Sequence, residues 1–381
     1  MTLAQHFAAY SEWRTELSEA LGKFGGWLVD NELTDAQTDR RISQLLEKLR
    51  EDRLHVAFVA EFSRGKSELI NAIFFADYGN RILPSTAGRT TMCPTELMFD
   101  PAKAPSIELL PIESRESKDS ISEYKRFRDE WTIVPLDTGS AAAMQEALRH
   151  VSDVVRVDRA VAEKLGFTIT DGDTEVFRVD AAGTVEIPRW RHAIINFPHP
   201  LLQQGLVILD TPGLNAIGTE PELTLSLLPN AHAVLFILAA DTGVTQSDLT
   251  VWREHIGTPG GRKKGRMVVL NKIDSLWDEL KSTEEIDAEI ARQVDICAWT
   301  LSLPEDQVFP VSAQKALLAK INGDRQLLDR SRLSELELAL SEELIPAKQE
   351  IVRDNTESEF SDCYLRTRGL LESRLTGLRE Q

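Results

Sequence analysis

The stretch "VAEFSRGKSELINAIF", residues Val59–Phe74, decides the fold class because it joins a predicted strand to a predicted helix through a phosphate-binding type of loop. The usual motif reads G-x-x-x-x-G-K-[ST]; Gly65, Lys66 and Ser67 keep it, and Ala60 replaces its first glycine. Backbone N–H groups and the lysine would attract phosphate, and Ser67 would ligate magnesium. Alanine costs little if its φ is negative. A helix cap with a solvated lysine is the simpler alternative.

Composition narrows the class of protein. The chain has 381 residues, 42% of them hydrophobic and 27% charged, with a net charge of −18. That charge repels nucleic acid and anionic bilayers from the surface as a whole, although the basic run at 261–266 could act locally. Cys93, Cys297 and Cys363 are too few and too far apart for a disulfide framework or a thiolate metal site. We expect a cytoplasmic protein whose membrane contacts, if any, are peripheral.

Hydrophobic patterning predicts an α/β sheet domain and a helical bundle. Short apolar runs alternate with helical stretches, which indicates a mostly parallel central sheet covered on both faces. The predicted strands are 55–60, 95–99, 106–110, 192–197, 206–210, 233–238, 266–271 and 307–312. We predict a sheet domain over 53–325 with an insertion at about 112–190. Helical periodicity over 1–52 and 326–381 predicts a bundle built from both ends of the chain. We expect the C-terminal helical pattern to break at Pro346 and to pack against the N-terminal helices through one face made of Phe360, Tyr364, Leu371, Leu375 and Leu378.

Tryptophans at helical spacings predict core positions in this architecture. They recur with other apolar residues, and the ones we assign to the core are Trp13, Trp27, Trp252, Trp277 and Trp299.

Three further motifs follow predicted strands in the order that a nucleotide site requires. "DTPG" at 210–213 places the Asp210 carboxylate beside a magnesium ion and the Gly213 N–H near a terminal phosphate. "NKID" at 271–274 ends in Asp274, whose carboxylate can accept hydrogen bonds from guanine N1–H and the exocyclic amine. In "VSAQKA", 311–316, the Ala313 N–H could meet the guanine carbonyl. Four motifs in this order favour a guanine-nucleotide site over coincidence.

The chain resembles the dynamin superfamily of large GTPases, and in particular bacterial dynamin-like proteins. The similarity lies in "EFSRGKS", "LPSTAGRTTMCPTEL", "DTPGL", "NKID" and "SAQKA". It implies a P-loop GTPase domain that hydrolyses GTP to GDP and phosphate with Mg²⁺, and it makes Thr91 the magnesium-binding threonine of the switch segment. We recognise neither the family's long stalk nor its lipid-binding tip in these residues. The resemblance implies that residues 326–381, the C-terminal helices of the bundle, are the start of such a stalk.

Motifs and resemblance together predict a complete site. The catalytic residues are Ser63, Lys66, Thr91 and Gly213. The nucleotide-binding residues are Ser63, Arg64, Gly65, Lys66, Ser67, Asp210, Gly213, Asn271, Lys272, Asp274, Ser312, Ala313 and Gln314. The metal ligands are Ser67, Thr91 and Asp210.

One residue bears on mechanism. Small GTPases orient the attacking water with a glutamine after this glycine, but here the position is Leu214. Water must then be held by backbone groups, such as the Thr91 carbonyl and the Gly213 N–H, or by elements that become ordered on association. The resemblance implies association: the GTPase domains dimerise across the nucleotide, and Ser63 helps to hold a monovalent cation, K⁺ or Na⁺. Arg64 is a rival charge donor, although a solvated arginine is the favoured interpretation.

We therefore expect GTP binding and dimer-activated hydrolysis, linked to membrane remodelling. The expected partners are GTP and GDP, a second copy of the chain, and a peripheral membrane or protein partner, but no nucleic acid. A nucleotide-gated scaffold with slow turnover is the main alternative. A ribosome-associated GTPase is another, but it would call for a basic accessory domain, which the acidic balance disfavours.

Overall fold

The computed structural model describes residues 3–34, 36–51, 53–83, 93–117, 119–126, 128–167, 183–211, 231–256 and 266–379. The chain forms two compact units: Met1–Leu54 with Leu340–Gln381, and His55–Ala339. The domain boundaries drawn from the sequence remain predictions. No helix in the described ranges is both long and apolar enough to cross a membrane.

A nine-stranded sheet forms the centre of the His55–Ala339 unit. Its strands are β1 Leu54–Ala60, β2 Thr95–Met98, β3 Ser106–Pro111, β4 Thr132–Pro135, β7 Trp190–Asn196, β8 Leu206–Asp210, β9 Ala233–Ala239, β10 Arg266–Asn271 and β11 Val308–Pro310. They stand in the order β11-β10-β9-β1-β8-β2-β7-β3-β4. All eight strands predicted from apolar runs are present, and most of their residues are buried, which explains the apolar character of those runs.

The two halves of the sheet differ in strand direction. β1, β9, β10 and β11 pair in parallel, so their carboxyl ends lie at one edge of the sheet. Beyond β8 the directions mix: β2 pairs antiparallel with β8 and parallel with β7, whereas β3 pairs antiparallel with both β7 and β4. This mostly parallel sheet with its flanking helices confirms the predicted fold class.

The segment at about 112–190 contains strands that its sequence pattern did not reveal. β4 joins the edge of the large sheet, and β5 Val154–Asp158 pairs antiparallel with β6 Thr184–Pro188 as a separate two-stranded sheet. The small sheet has an apolar cluster of its own, made of Ile112, Ala162, Leu165, Phe167, Val185 and Ile187. β4 is mostly exposed, so it lacks the apolar run that marks a buried strand.

The described part of the same unit also contains helices. Their bounds are α3 Lys66–Ile70, α4 Ile121–Tyr124, α5 Ala141–Arg149, α6 Arg159–Lys164, α7 Pro200–Gln203, α8 Gln246–Val251, α9 Thr283–Leu301, α10 Ala313–Asn322 and α11 Arg325–Ser331. α3 continues as a π-helix over Asn71–Phe75. The parallel strands share one core cluster with α8 and α9, in which the Phe236 and Trp252 rings pack at a tilt of 42° with centroids 5.4 Å apart.

Helices from both ends of the chain pack together in the other unit. α1 Leu3–Asp30 and α2 Ala36–Glu51 meet α12 Leu333–Arg379. Leu28 and Ile42 share a buried cluster with Cys363, and Phe24 contacts Phe360 edge-on at 5.0 Å between ring centroids. These contacts confirm the predicted bundle.

Two details of the predicted bundle are wrong. We expected α12 to break at Pro346, yet the helix continues through the proline, which has no N–H to donate to the hydrogen-bond ladder. We also expected Tyr364, Leu371 and Leu375 on the packed face with Phe360, and these three are exposed. Helical periodicity identifies a stripe but does not say how far along its length a partner covers it.

The tryptophans divide between core and surface. Trp252 is only 5% exposed, as predicted, but Trp27 is 47% and Trp299 is 84% exposed. Trp13 and Trp277 are half-buried, and the Arg330 guanidinium lies 4.0 Å from the Trp277 ring centroid. The core assignment of Trp27 and Trp299 is therefore wrong, because an apolar residue at a helical spacing can also face solvent.

Candidate functional site

The loop after β1 has the backbone shape of a phosphate-binding loop. Gly65 caps α3 with φ +87, and a β-carbon there would lie 2.3 Å from Asn271 Nδ2, so the position requires glycine. Ser63 also has a positive φ, +62, and is exposed. Ala60 is the last residue of β1 and is not among the residues with positive φ. Alanine therefore replaces the first glycine of the motif without backbone strain.

The lysine of this loop reaches the end of β8. Lys66 Nζ donates a hydrogen bond to Asp210 Oδ1, and the two side chains are 9% and 5% exposed. Ser67 follows Lys66 in α3 and is half-buried. The structure therefore joins Lys66 to Asp210, and Ser67 is the next residue after Lys66; the sequence assigns these three residues to phosphate and metal.

Asn271 connects the phosphate loop to the loop after β11. Its Nδ2 donates to the Arg64 carbonyl oxygen at 2.8 Å, and its Oδ1 accepts from the Ala313 N–H at 3.0 Å. The side chain is buried at the end of β10. The predicted contact of the Ala313 N–H with guanine stays a prediction; in this structure that group donates to Asn271.

Asp274 and Ser312 pair beside Asn271. Ser312 Oγ donates to Asp274 Oδ1 at 2.6 Å and accepts from the Lys315 N–H at 3.3 Å, which caps α10. These bonds fix one oxygen of the carboxylate that we assigned to guanine. Gln314, in the first turn of α10, is exposed.

Lys272, between Asn271 and Ile273 in the same motif, contacts a different acid. It has a positive φ, +62, and its Nζ donates to Asp241 Oδ2 at 3.1 Å. Burial raises the pKa of Asp241, but the hydrogen bonds from Thr242 and Lys272 outweigh burial and hold that pKa below its usual value. Asp241 is thus an anion at neutral pH and belongs to the segment between β9 and α8.

Arg64 is buried and ion-paired, so the solvated arginine that we favoured from the sequence is wrong. Its Nη2 donates to Glu61 Oε2 at 2.8 Å and to Asp248 Oδ2 at 3.2 Å. Asp248 is fully buried, and burial raises the pKa of its carboxyl despite hydrogen bonds from Thr245 and the charge of Arg64. Sequence reasoning missed both acids. Asp248 lies far along the chain from Arg64 and is part of no motif, so only the fold reveals the contact.

Several predicted residues cannot be placed. Thr91, Gly213 and Leu214 lie outside the described residues, as does most of the basic run at 261–266. Their assigned roles remain predictions. Within the described ranges, no three His, Cys, Asp or Glu side chains cluster in a way that could hold a metal ion.

Sequence comparison connects this geometry with known proteins. Residues 56–273 match the sequence family described as the dynamin family. A bacterial dynamin-like protein of Nostoc punctiforme is 23% identical over 352 residues, which cover 85% of this chain and 43% of that protein. The isoniazid-induced protein IniA of Mycobacterium tuberculosis is 30% identical over 193 residues, which cover 49% of this chain and 27% of that protein.

Comparison of structures supports the fold. An oligomerised bacterial dynamin pair, described as providing a mechanism for the long-range sensing and tethering of membranes, aligns with a TM-score of 0.56. It is 16% identical, and the alignment covers 100% of this chain and 58% of that one. At this identity the likeness shows a common fold alone. The chain spans less than two thirds of the length of these relatives.

Proposed function

This chain belongs to the dynamin family, and on that premise we propose that it binds GTP and hydrolyses it to GDP and phosphate. The observation that carries the proposal is the position of Asn271. Its amide contacts the Arg64 carbonyl on one side and the Ala313 N–H on the other. One side chain thus joins the loop assigned to phosphate and the loop assigned to the base, as a site for a whole nucleotide requires.

At the phosphate end, Lys66 supplies positive charge and the backbone N–H groups of the loop supply hydrogen-bond donors. The Ser67 hydroxyl and the Asp210 carboxylate are hard oxygen ligands of the kind that Mg²⁺ prefers, and they fit that ion together with the predicted ligand Thr91. Magnesium, when bound, would supply further positive charge at the phosphates. Lys66 Nζ donates to Asp210 here, so nucleotide binding would redirect the lysine from a carboxylate to a phosphate.

At the base end, Asp274 would recognise guanine. One of its oxygens accepts from Ser312 Oγ, which orients the carboxylate. An oriented carboxylate can accept from the N1–H and the exocyclic amine of guanine, and adenine offers no such pair of donors. Asp274 is therefore the proposed source of guanine specificity. Asn271 and Lys272 belong to the same motif and would lie beside the base.

We further propose that turnover depends on pairing of two GTPase domains. Ser63 is exposed at the tip of the phosphate loop, where a partner or a monovalent cation could reach its hydroxyl. The predicted roles of the Thr91 carbonyl and the Gly213 N–H in holding water belong to the same proposal. Family membership supports a cytoplasmic protein that acts at membranes as a peripheral component, and the membrane-tethering bacterial dynamin pair supports membrane remodelling as the process.

Base specificity tests this proposal most directly. Equilibrium binding of GTP, GDP, ATP and xanthosine triphosphate should be measured for the unmutated protein and for Asp274→Asn. We expect GTP to be preferred over ATP by the unmutated protein, and the variant to prefer the xanthine nucleotide, because the amide reverses one hydrogen bond. Equal binding of GTP and ATP by the unmutated protein would reject the base assignment. Tight GTP binding with slow turnover at every protein concentration would favour the scaffold instead.

A further inference from the structure

We propose that Arg64 and Asp248 form a buried ion pair that positions the phosphate loop, so that the segment leading into α8 sets the affinity of the site for guanine nucleotides. The inference rests on the proposed GTP site and assigns Arg64 and Asp248 a role that the nucleotide motifs do not include. Arg64 is then a positioning residue and not the donor of charge to the reaction.

Arg64 is fixed through both its side chain and its main chain. Its side chain is 6% exposed, and Nη2 donates to both Glu61 and Asp248. Its carbonyl oxygen accepts from Asn271 Nδ2 at 2.8 Å. Arg64 directly precedes Gly65, the left-handed residue where the loop turns into α3. Because the side chain and the carbonyl oxygen of Arg64 are both held, the backbone turn at Gly65 is held as well.

Asp248 is in turn fixed by the start of α8. Its Oδ2 accepts from the Thr245 N–H at 2.9 Å and from Thr245 Oγ1 at 2.8 Å, and its own N–H donates back to Thr245 Oγ1 at 3.2 Å. This reciprocal capping box leaves the carboxylate little freedom. The second acid, Glu61, is also tied to this helix, because Ser247 Oγ donates to Glu61 Oε1.

The charges around Arg64 favour a role in positioning the loop over a role in stabilising charge in the transition state. Two carboxylates share the single nitrogen Nη2, whereas Arg64 Nε and Asp248 Oδ1 are buried without a hydrogen-bond partner in the described part of the chain. A guanidinium held by the buried Asp248 and the half-buried Glu61 would have to break these contacts, in a poorly solvated site, to reach a phosphate. Leaving a buried charge unpaired is costly, so the arginine should stay in place during the reaction.

The segment Asp241–Asp248, which we call the bracing segment, touches both halves of the site. Asp248 holds the phosphate loop through Arg64, and Asp241 accepts from Lys272 of the base motif at 3.1 Å. Through these two contacts a shift of the bracing segment would move both halves. This explains why an acid outside the nucleotide motifs should influence nucleotide affinity.

A double-mutant cycle tests the pair. GTP and GDP affinities, steady-state GTPase rates and thermal midpoints should be measured for Arg64→Gln, Asp248→Asn, the double variant and the matched surface control Asp295→Asn. We expect each single variant to weaken GTP and GDP binding alike, by about tenfold or more, with a change of less than about threefold in kcat at saturation. The neutral amides of the double variant can hydrogen-bond to each other. Its GTP affinity should therefore be at least about fivefold higher than the affinity predicted by multiplying the two single effects.

Any of three outcomes of the cycle would overturn the inference: unchanged affinity in both single variants, additive effects, or a loss confined to kcat in Arg64→Gln. The last would return the arginine to the role of charge donor. If Asp248→Asn does not fold, Thr245→Val loosens the carboxylate without removing it and should weaken affinity in the same direction. A folded Thr245→Val protein with unchanged affinity would also overturn the inference. Absence of guanine-nucleotide binding by the unmutated protein would instead reject the proposed function itself.

Discussion

The side-chain amide of Asn271 occupies the space that a β-carbon on Gly65 would need, with 2.3 Å between the two positions. The residue that joins the two nucleotide loops thus also dictates the residue type at the turn of the phosphate loop. A larger residue at 65 would have to displace Asn271, and with it the hydrogen bonds to Arg64 and Ala313.

Replacement of Gly65 by alanine should therefore cost more than backbone strain. Gly79 is a matched control, because it also has a positive φ, +69, but has no atom within 4 Å of its β-position. We expect Gly79→Ala to lower the free energy of unfolding by about 1–2 kcal/mol, the usual cost of a left-handed alanine. Gly65→Ala should lower it further and abolish GTP binding. Equal unfolding midpoints in urea for the two variants would show that Asn271 moves aside without cost.

Substitutions in the Lys66–Asp210 pair should separate effects on the stability of the fold from effects on GTP binding. In Lys66→Ala the buried Asp210 loses its cation, and removal of one partner from a buried pair costs about 3–5 kcal/mol. In Lys66→Ala/Asp210→Asn no carboxylate is left without its lysine, so stability without nucleotide should recover. GTP binding should be lost in both variants, as measured by calorimetry. Recovery of binding in the double variant would show that the lysine acts only through Asp210.

Ser63 should matter for turnover in the paired state. If its hydroxyl helps to hold a monovalent cation, Ser63→Ala should lower the GTPase rate and leave GTP affinity nearly unchanged, as expected for a contact made mainly in the transition state. Ser63→Gly is the matched variant, because glycine tolerates the φ of +62 and also lacks the hydroxyl. Both should lose rate equally.

The rate per molecule should be measured against protein concentration, in potassium and in a bulky cation. We expect it to rise with concentration only in potassium. A rate that is flat in concentration and indifferent to the cation would reject dimer activation, and a loss in Ser63→Ala alone would point to backbone strain.

His199 should make folding sensitive to mild acid. It packs edge-on against Phe74, 5.8 Å between ring centroids, and burial lowers its pKa from 6.5 to about 4. The unfolded chain then binds a proton that the folded chain rejects, so stability is full above pH 6.5 and falls as the pH drops toward 4. Through this group the protein should lose about 2 kcal/mol between pH 7.5 and pH 5.

His199→Asn provides the comparison for urea unfolding at several pH values. In the unmutated protein the Leu201 N–H donates a hydrogen bond to His199 Nδ1 at 3.3 Å. Asparagine retains an acceptor for this hydrogen bond but does not titrate. The variant should lose less stability than the unmutated protein between these pH values. Parallel curves for the two proteins would contradict the assignment.

The bundle should respond very differently to substitution at two adjacent residues of α1. Leu28 is fully buried in a cluster with Cys363, whereas Trp27 is 47% exposed. Leu28→Ala should lower the free energy of unfolding by about 2–5 kcal/mol, because it removes core contacts and leaves a cavity. Trp27→Ala should change it by much less, in spite of the larger side chain. Similar thermal shifts for both would mean that this end of α1 is not packed as described.

The sequence predicted the parts of the fold that depend on local pattern. Continuous apolar runs marked the buried strands, and the motif order placed Lys66, Asp210 and Asn271 at one edge of the sheet. The exposed edge strand β4 escaped because its residues face solvent and carry no apolar signal. The burial of Arg64 escaped because it depends on Asp248, which only the fold brings near. Trp299 was misassigned because spacing does not reveal which face of a helix is covered.

Ala60 has a consequence for how such loops are recognised in other chains. β1 stays extended through this residue, and the left-handed backbone appears only at Ser63 and Gly65. A search pattern that demands glycine at the first position would discard this chain at its first test. A pattern that leaves that position open, and asks instead for two residues able to turn left-handed, two apart and just before the lysine, would retain it.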